Sequence, residues 1–262
     1  MTLARTRTYF ISDMHLGARY IADRRAHERG VVGFLRAIAP TARRLYILGD
    51  ALDYWYEYRN VVPRGYVRFF GALAELADAC VEIVWCTGNH DIWLFDYLRD
   101  EIGIEIRDPR QGYELEEIDG SLFCLGHGDA IGHMTPGFRF IRRLFRNRLC
   151  QKLYAAIHPR WTIPFAHAWS SHSRKGYSTP TALTAAQRGP LEVFARQLLA
   201  VHPELRYVVV GHHHVPVDEP LSDSCRLIVL GDWLSRHTYG VFCPDSGFRL
   251  AEYRPGADPA AP

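Results

Sequence analysis

Short segments rich in Asp, Asn and His follow five strand-like apolar runs of the sequence. The clearest is Gly88-Asn89-His90-Asp91, which comes directly after the apolar run from Val81 to Thr87. The other four are Asp13-Met14-His15, Gly49-Asp50-Ala51-Leu52-Asp53, Gly126-His127-Gly128-Asp129 and Gly211-His212-His213-His214. Carboxylate, amide and imidazole groups bind metal ions, and the ends of parallel strands meet at one edge of a sheet. We therefore predict one polynuclear metal site at such an edge.

The spacing of these residues suits two ions that share a ligand. Two divalent ions about 4 Å apart need a ligand that reaches both, which a carboxylate with two oxygens can do. Asp50, which follows a glycine at a sharp strand-to-loop turn, is the best candidate for that bridge. Asp13 and His15 stand at i and i+2 of an extended segment, so they point the same way and can bind one ion. His212 and His214 repeat this spacing, which lets each reach a different ion.

The set of donor atoms limits the choice of metal. Asn89 adds a neutral oxygen and His127 an imidazole. Asp, Asn and His without a thiolate suit Mn, Fe or Zn better than Mg or Ca and do not choose among the first three. We take two divalent ions, with manganese as the working choice and iron or zinc as alternatives. His213 lies between two candidate ligands and should point to the other face, so we interpret it as structural.

Strands and helices alternate in the part of the chain that carries the first three loops. Thr8 to Ser12, Leu45 to Leu48 and Val81 to Thr87 are predicted strands. Helical spacing of apolar residues predicts helices from about Asp23 to Ile38 and from about Arg64 to Ala79. The order β-α-β-α-β predicts an α/β fold in which helices cover a sheet.

The second half of the chain contributes mainly strands. A short helix is predicted from Ile92 to Glu101, and a Pro/Ala-rich, disordered tail is predicted over residues 255–262. We expect one domain over residues 1–254, with a helical lid insertion at about 133–190. The predicted strands are Ile104 to Arg107, Tyr113 to Ile118, Ser121 to Leu125, Arg206 to Val210, Arg226 to Leu230, Tyr239 to Phe242 and Phe248 to Ala251.

Composition places the protein in a broad class. Of its 262 residues, 48% are hydrophobic and 23% charged, as in globular proteins. No apolar run reaches the roughly 18 residues of a spanning helix, and the start of the chain leads straight into a strand with no room for a signal peptide. The six cysteines include no Cys-x-x-Cys pair, which favours reduced thiols. These features predict a cytoplasmic location.

One segment of the chain is strongly basic. Residues 130–191 contain ten Lys and Arg but no Asp or Glu, although the net charge of the whole chain is only +2. Arginines interleaved with apolar residues predict a basic amphipathic helix at about 137–157, which suits an anionic membrane surface or an acyl-chain substrate. The alternatives are an ordinary amphipathic helical pair with solvated arginines, or a nucleic-acid groove. The apolar positions are Phe138, Ile141, Leu144, Phe145, Leu149, Leu153 and Ile157.

The five polar segments resemble the signature motifs of the calcineurin-like metallophosphoesterases, in the usual order, from about residue 8 to 243. The resemblance implies a two-layer β-sandwich flanked by helices, and a hydroxide that bridges the metals. It implies that His90 protonates the leaving group or stabilises the transition state, oriented by Asp91, and that Asp53 and Asp129 support the ligands. The implied ligands are Asp13, His15, Asp50 and His214 for one metal, and Asp50, Asn89, His127 and His212 for the other.

The insertion after Asp129 and the aromatic run from Tyr54 to Tyr58 are similar to the UDP-2,3-diacylglucosamine pyrophosphatases of lipid A synthesis, whose helical lid holds the acyl chains. This resemblance implies cleavage to UMP and 2,3-diacylglucosamine 1-phosphate at the inner face of the cytoplasmic membrane. Arg174 and Lys175, in the lid, are predicted to contact phosphate or sugar. The best-known branch has Arg where this chain has His90.

Two other functions follow from the same motifs. One is a metallophosphoesterase that acts on another phosphodiester or phosphomonoester, such as a nucleic acid, a cyclic nucleotide or a phosphoprotein. The other is a non-catalytic scaffold, which would lack ligands, whereas all of the motif ligands are present. No protein partner is predicted.

Overall fold

Two β-sheets pack face to face. The computed structural model describes residues 5–131, 134–173 and 181–260, without the side chains of residues 169–173. The strands are β1 Arg7–Ile11, β2 Ala42–Leu48, β3 Glu82–Cys86, β4 Glu105–Arg107, β5 Glu114–Ile118, β6 Ser121–Gly126, β7 Leu205–Val210, β8 Pro216–Pro220, β9 Arg226–Leu230, β10 Thr238–Cys243 and β11 Gly247–Glu252. The helices are α1 Arg24–Ile38, α2 Val67–Asp78, α3 Tyr97–Ile102, α4 Pro136–Phe145, α5 Arg148–Ala156, α6 Pro159–Ser173 and α7 Ala185–Val201.

The strand order brings many carboxyl ends of strands to one region. The first sheet has the order β11-β10-β1-β2-β3-β4, in which β1 to β4 are parallel. The second has the order β5-β6-β7-β9-β8, in which β6, β7 and β9 are parallel. Loops that follow parallel strands are the usual place for a binding site, because those strands all end at the same edge.

The core lies in three layers. Between the sheets, Phe10 stacks on Tyr46 at 5.1 Å and on Phe123 at 5.8 Å between ring centroids. On the outer face of the first sheet α1 and α2 bury Phe34 among other residues, and on the outer face of the second sheet α7 buries Leu191. Each such side chain contributes about 1.5–3 kcal/mol. The predicted two-layer β-sandwich flanked by helices is confirmed.

Local signals account for the helix that covers the first sheet. Asp23 accepts a hydrogen bond from the backbone N of Ala26 at 2.8 Å, which caps α1. The buried residues of α1 include Val31, Leu35 and Ile38, which lie on one face at helical spacing. Among the described helices, none combines the length and the apolar character needed to cross a bilayer.

The predicted helix from Ile92 to Glu101 is wrong at its start, since α3 begins only at Tyr97. The reason is a side chain from another loop. Glu57 Oε2 accepts hydrogen bonds from the backbone N atoms of Phe95, Asp96 and Tyr97 at 2.6, 2.8 and 3.1 Å. These bonds fix the first turn of α3 at that point.

The predicted single helix at about 137–157 is also wrong. The chain forms two helices, α4 and α5, with a break at Arg146 and Asn147. Asn147 Oδ1 accepts hydrogen bonds from the backbone N atoms of Leu149 and Cys150 at 2.9 and 3.1 Å. An Asn side chain bound in this way starts a new helix rather than continuing the old one.

Residues 259 and 260, in the tail predicted to be disordered, make hydrogen bonds to the first sheet, and residues 261–262 lie outside the described residues. The Tyr239 hydroxyl donates to the Pro259 carbonyl at 3.0 Å, and Arg249 donates to the same oxygen at 3.1 Å. Arg7 also donates to the carbonyl of Ala260, which is buried. These bonds join residues 259 and 260 to β1, β10 and β11 of the first sheet.

Candidate metal centre

The loops that follow β1, β2, β3, β6 and β7 meet at one edge of the sandwich. Backbone hydrogen bonds tie the first two loops together, from Asp13 N to Gly49 O at 3.1 Å and from His15 N to Asp50 O at 2.9 Å. A carboxylate links the two sheets, because His212 N donates to Asp13 Oδ2 at 2.8 Å. Residues almost two hundred positions apart therefore share one hydrogen-bonded edge.

Asp13, His15 and His214 form a first group whose potential ligand atoms all lie within 4.8 Å of one another. Asp13 Oδ1 is 3.7 Å from His15 Nε2 and 3.5 Å from His214 Nε2. These distances are longer than good hydrogen bonds. Within the described residues, this buried carboxylate oxygen accepts no hydrogen bond at all.

Asp50, His127 and His212 form a second group with the same spread of ligand atoms. His127 Nε2 lies 3.2 Å from Asp50 Oδ2 and 3.3 Å from His212 Nδ1, with Asn89 Oδ1 at 3.2 Å. Asp50 Oδ2 is also 3.8 Å from His15 Nε2. Asp50 therefore lies between the two groups, where the sequence predicts the shared ligand.

Five of the seven predicted ligands adopt a left-handed backbone conformation, which is unusual for residues with a side chain. Their φ angles lie between 45° and 67°. Such conformations cost about 1–3 kcal/mol each and concentrate at functional sites. The residues are Asp13, His15, Asp50, His212 and His214.

Two glycines let the backbone approach the buried carboxylates closely. A Cβ atom on Gly88 would lie 2.2 Å from Asp50 Oδ1, and a Cβ on Gly211 would lie 2.5 Å from Asp13 Oδ2. Both distances are far shorter than any real carbon–oxygen contact of this kind. The glycines in these two motifs are therefore required by packing around the ligands.

The charges of the site oppose the effect of burial. Burial raises the pKa of Asp13. Burial acts in the same direction on Asp50, but the neighbouring His127 and His90 outweigh it and hold the pKa of Asp50 well below its usual value. Burial lowers the pKa of His127, but Asp50 outweighs that effect and raises it well above the usual value. Burial, assisted by His127, keeps the pKa of His212 well below normal, so this ring is neutral and able to bind a metal.

The donor atoms fit divalent metal ions. Asp13 and Asp50 are fully buried carboxylates side by side, an arrangement that needs compensating positive charge. His127 Nδ1 donates to the Leu48 carbonyl at 2.9 Å, which turns Nε2 toward Asp50 and fixes the orientation of a ligating imidazole. The same negative charge that raises the pKa of His127 also favours the binding of cations. His213 joins neither ligand group.

The predicted role of Asp91 in orienting His90 is wrong. The Asp91 carboxylate accepts hydrogen bonds from the backbone N atoms of Gly88 and Ala51 at 2.7 and 2.9 Å and from the Trp85 indole at 3.1 Å. Burial and the charge of Asp50 raise the pKa of Asp91 to about 6. Asp91 therefore joins the loop after β2 to the loop after β3 through hydrogen bonds, and none of these bonds involves the ring of His90.

Asp53 takes the position expected of Asp91. His90 Nδ1 donates to the Asp53 carbonyl at 3.0 Å and lies 3.6 Å from Asp53 Oδ1. The same carboxylate lies 3.8 Å from His15 Nδ1 and 3.8 Å from His167 Nδ1. His167, on α6, was not predicted as a site residue, because a single His in an apolar, aromatic run carries no distinctive sequence signal.

Asp232 is a second site residue that the sequence analysis missed. Its Oδ2 atom lies 3.5 Å from His214 Nδ1, and its Oδ1 atom accepts from Ser235 N at 2.9 Å. Burial raises the pKa of Asp232, but the nearby His214 and the backbone N atoms of Ser235 and Arg236 outweigh that effect and leave the pKa below normal. A signal was present, because Gly231-Asp232 follows β9 as Gly49-Asp50 follows β2.

The helical insertion, which we define as α4 to α6 (residues 136–173), contacts the loops of the site through individual side chains. The Trp93 indole donates to the Phe145 carbonyl at 2.9 Å. The Tyr54 and Tyr154 hydroxyls are 3.0 Å apart, and the Tyr56 hydroxyl donates to the Gln151 carbonyl at 2.6 Å. The aromatic run after Asp53 therefore forms the surface on which the insertion rests.

The arginines of the insertion do not all face outward. Arg142 Nε lies 3.3 Å from Asp129 Oδ2, and Arg146 Nε lies 3.0 Å from Asp108 Oδ1. The predicted rim of guanidinium groups is wrong for these two residues, which bind the body of the protein. Arg174 and Lys175, the predicted substrate contacts, lie outside the described residues.

Comparison with known proteins identifies the family. The model of the calcineurin-like phosphoesterase family matches residues 6–216, a span that includes all five polar segments. The protein therefore belongs to the calcineurin-like phosphoesterases, and the resemblance found in the sequence is confirmed.

Curated relatives are similar over most of their length. A UDP-2,3-diacylglucosamine hydrolase of Porphyromonas gingivalis is 40% identical over 250 residues, which covers 91% of this chain and 94% of that protein. Proteins of the same name are 30% identical in Ralstonia nicotianae, over 86% of this chain and 83% of that one, and 27% identical in Nitrosococcus oceani, over 94% and 95%.

Proposed function

We propose that the protein hydrolyses the pyrophosphate bond of UDP-2,3-diacylglucosamine and releases UMP and 2,3-diacylglucosamine 1-phosphate. The observation that carries this proposal is the pair of ligand groups around Asp50, next to a helical insertion with an apolar surface. Relatives up to 40% identical among those compared above bear the name of this activity. The reaction is a step of lipid A synthesis.

The ligand groups would hold two divalent metal ions, with manganese as our first choice. When bound, such ions neutralise charge on the phosphoryl oxygens and supply an activated water. Asp50 would be shared by both ions, and the buried Asp91 would keep its loop rigid. The remaining ligands would be Asp13, His15 and His214 for one ion, and Asn89, His127 and His212 for the other.

His90 would act on the leaving group. Its Nδ1 atom is held by the Asp53 carbonyl, so Nε2 is the nitrogen left to face a substrate. A positioned imidazole that donates a hydrogen bond or a proton to the leaving oxygen typically accelerates such a step by about 10²–10⁴-fold. Asp53 orients the ring and is therefore a positioning residue.

The helical insertion would hold the acyl chains and rest on the membrane. Each of its helices exposes an apolar pair at i and i+4. Since Arg142 and Arg146 bind the body, the attraction to anionic lipid would come from exposed cations such as Arg139 and Arg143. This arrangement would place the protein at the inner face of the cytoplasmic membrane. The apolar pairs are Phe140 and Leu144, Leu149 and Leu153, and Trp161 and Phe165.

The test is an assay of the purified protein with Mn²⁺ on UDP-2,3-diacylglucosamine and on bis-p-nitrophenyl phosphate. We expect release of UMP from the first substrate, and loss of both activities on chelation with EDTA. Hydrolysis of the generic diester alone would refute the lipid substrate and favour another phosphoester. Activity that is insensitive to EDTA would refute the metal requirement.

A further inference from the structure

A cavity of about 370 Å³ lies beside the metal centre, between the amino-terminal ends of α1 and α2. Arginines dominate its lining. Arg24 and Arg25 come from the first turn of α1, whereas Arg64 and Arg68 come from the loop before α2 and from its first turn. Its size lies within the range of small-molecule sites.

The cavity is continuous with the site residues. Its wall includes Gly17, two positions after the ligand His15, and His167, whose Nδ1 atom lies 3.8 Å from Asp53 Oδ2. Asp53 in turn holds His90. The cavity is therefore connected to His90 through two residues, His167 in its wall and Asp53 behind it.

The four arginines of the cavity are exposed to solvent. Within the described residues, none of these four arginines takes part in an ion pair with a carboxylate, whereas Arg44 and Arg107 elsewhere bind glutamates. The one acidic residue of the lining, Glu28, is engaged with the backbone, since its Oε1 atom accepts from Arg68 N at 3.2 Å and from Phe69 N at 3.3 Å.

We propose that this cavity binds the nucleoside phosphate half of the substrate, an inference that rests on the proposed function. Guanidinium groups form paired hydrogen bonds with phosphate oxygens and stack on planar bases, so they suit both parts of a nucleotide. The apolar insertion would take the lipid half on the other side of the metal centre. His167, which is on α6 and also lines the cavity, would stand between the two halves.

The first experiment uses the unmodified protein with Mn²⁺ and measures inhibition of bis-p-nitrophenyl phosphate hydrolysis. UMP should inhibit at a concentration at least about 10-fold lower than inorganic phosphate does, because the arginines add contacts that phosphate alone lacks. Equal inhibition by UMP and phosphate would overturn the proposal, even if the lipid substrate is hydrolysed.

The second experiment compares the double variant Arg24→Ala/Arg64→Ala with Arg29→Ala, which removes an exposed arginine of α1 that does not line the cavity. For the double variant, kcat/KM for UDP-2,3-diacylglucosamine relative to that for the generic diester should fall by about 10-fold or more. This loss should appear mainly in KM, and UMP inhibition should weaken in parallel. Arg29→Ala should retain both values.

Two results would overturn the assignment of the cavity. One is an unchanged ratio in the double variant while the unmodified protein hydrolyses the lipid substrate. The other is a loss that appears with anionic vesicles but not in detergent micelles, which would mean that these arginines contact a lipid surface. Failure of the unmodified protein to hydrolyse the lipid substrate would instead count against the proposed function. Inhibition by UMP would then still test whether the cavity binds a nucleotide.

Discussion

The metal centre and the helical insertion are built in opposite ways. In the metal centre, charged side chains are buried and each is held by several loops, as Asp50 is by His127 and by the backbone of His90. In α4 and α5 no described residue is buried, and separate polar contacts such as Trp93 to Phe145 attach the insertion to the body. The proposed chemistry therefore depends on buried charges held by several loops, whereas the proposed contact with the acyl chains falls to a segment attached through its surface side chains.

The largest effect should come from removing the shared ligand. Asp50→Ala should lower hydrolysis of both substrates by about 10³-fold or more, the scale on which lost charge stabilisation acts at a reacting centre. The two sheets should remain folded, since Asp50 lies in the loop after β2 and not in the apolar layers of the core. Asp245→Ala, at an exposed carboxylate outside the site, is the control. Unchanged turnover by Asp50→Ala would eliminate the bridging role.

A smaller loss of activity should distinguish the role of Asp53 from that of Asp91. Asp53→Asn should lower kcat by about 10–100-fold with little change in KM or melting temperature, because the negative charge 3.6 Å from His90 Nδ1 is lost, although the hydrogen bond from that nitrogen to the Asp53 backbone carbonyl is retained. Asp91→Asn should instead lower the free energy of unfolding by about 1–3 kcal/mol, because the amide NH2 replaces one of the two acceptor oxygens and leaves at least one of the three donors without an acceptor. If Asp91→Asn altered the pH profile of kcat and left stability intact, Asp91 would have the catalytic role after all.

Substituting alanine for glycine should change the free energy of unfolding in opposite directions in the metal centre and in the helical insertion. Gly88→Ala places a Cβ 2.2 Å from Asp50 Oδ1 and should lower the free energy of unfolding by about 1–3 kcal/mol. A Cβ on Gly137, in the first turn of α4, meets nothing within 4 Å. Gly137→Ala should therefore be neutral or stabilise by up to about 1 kcal/mol. Urea denaturation monitored by circular dichroism measures both, and equal destabilisation would remove the contrast in packing.

The smallest effect on the fold should come from the surface of the insertion. Leu149→Ser/Leu153→Ser should leave the melting temperature and the generic diesterase activity unchanged, because both side chains are largely exposed. Flotation with anionic vesicles should show binding weaker by about 30-fold or more, since each of the two leucines withdrawn from lipid removes about 1 kcal/mol or more. Val193→Ser/Val201→Ser, at exposed apolar positions of α7, is the control. Equal flotation of all three proteins would contradict membrane contact through the insertion.

The sequence is most informative where a ligand follows a regular element. Asp13, Asp50 and Asn89 each come after a parallel strand with a clear apolar pattern, so the strand locates the ligand. Asp232 also follows a strand, but the four residues on either side of it include no second Asp, Asn or His that would have marked it as a ligand motif. Strand β8 gives no such pattern, because it begins at Pro216, ends at Pro220 and lies at the edge of its sheet, where proline is tolerated.

Contacts between distant segments were beyond the reach of the sequence pattern. Nothing in the spacing of residues indicates that Asp53 rather than Asp91 holds His90, or that Arg142 binds Asp129. The division of the insertion at Asn147 depends on a local competition between a side chain and the helix for backbone donors. Such outcomes are decided by packing and hydrogen-bond geometry in three dimensions.

The hydrogen bond from His212 N to Asp13 Oδ2 has a consequence for biosynthesis, since it joins positions separated by 199 residues. The amino-terminal half emerges from the ribosome with Asp13 and Asp50 in place, but His212 and His214 are made near the end of translation. Contacts of such long sequence separation form slowly. Metal uptake must therefore wait until almost the entire chain has been synthesised and the second sheet has docked on the first.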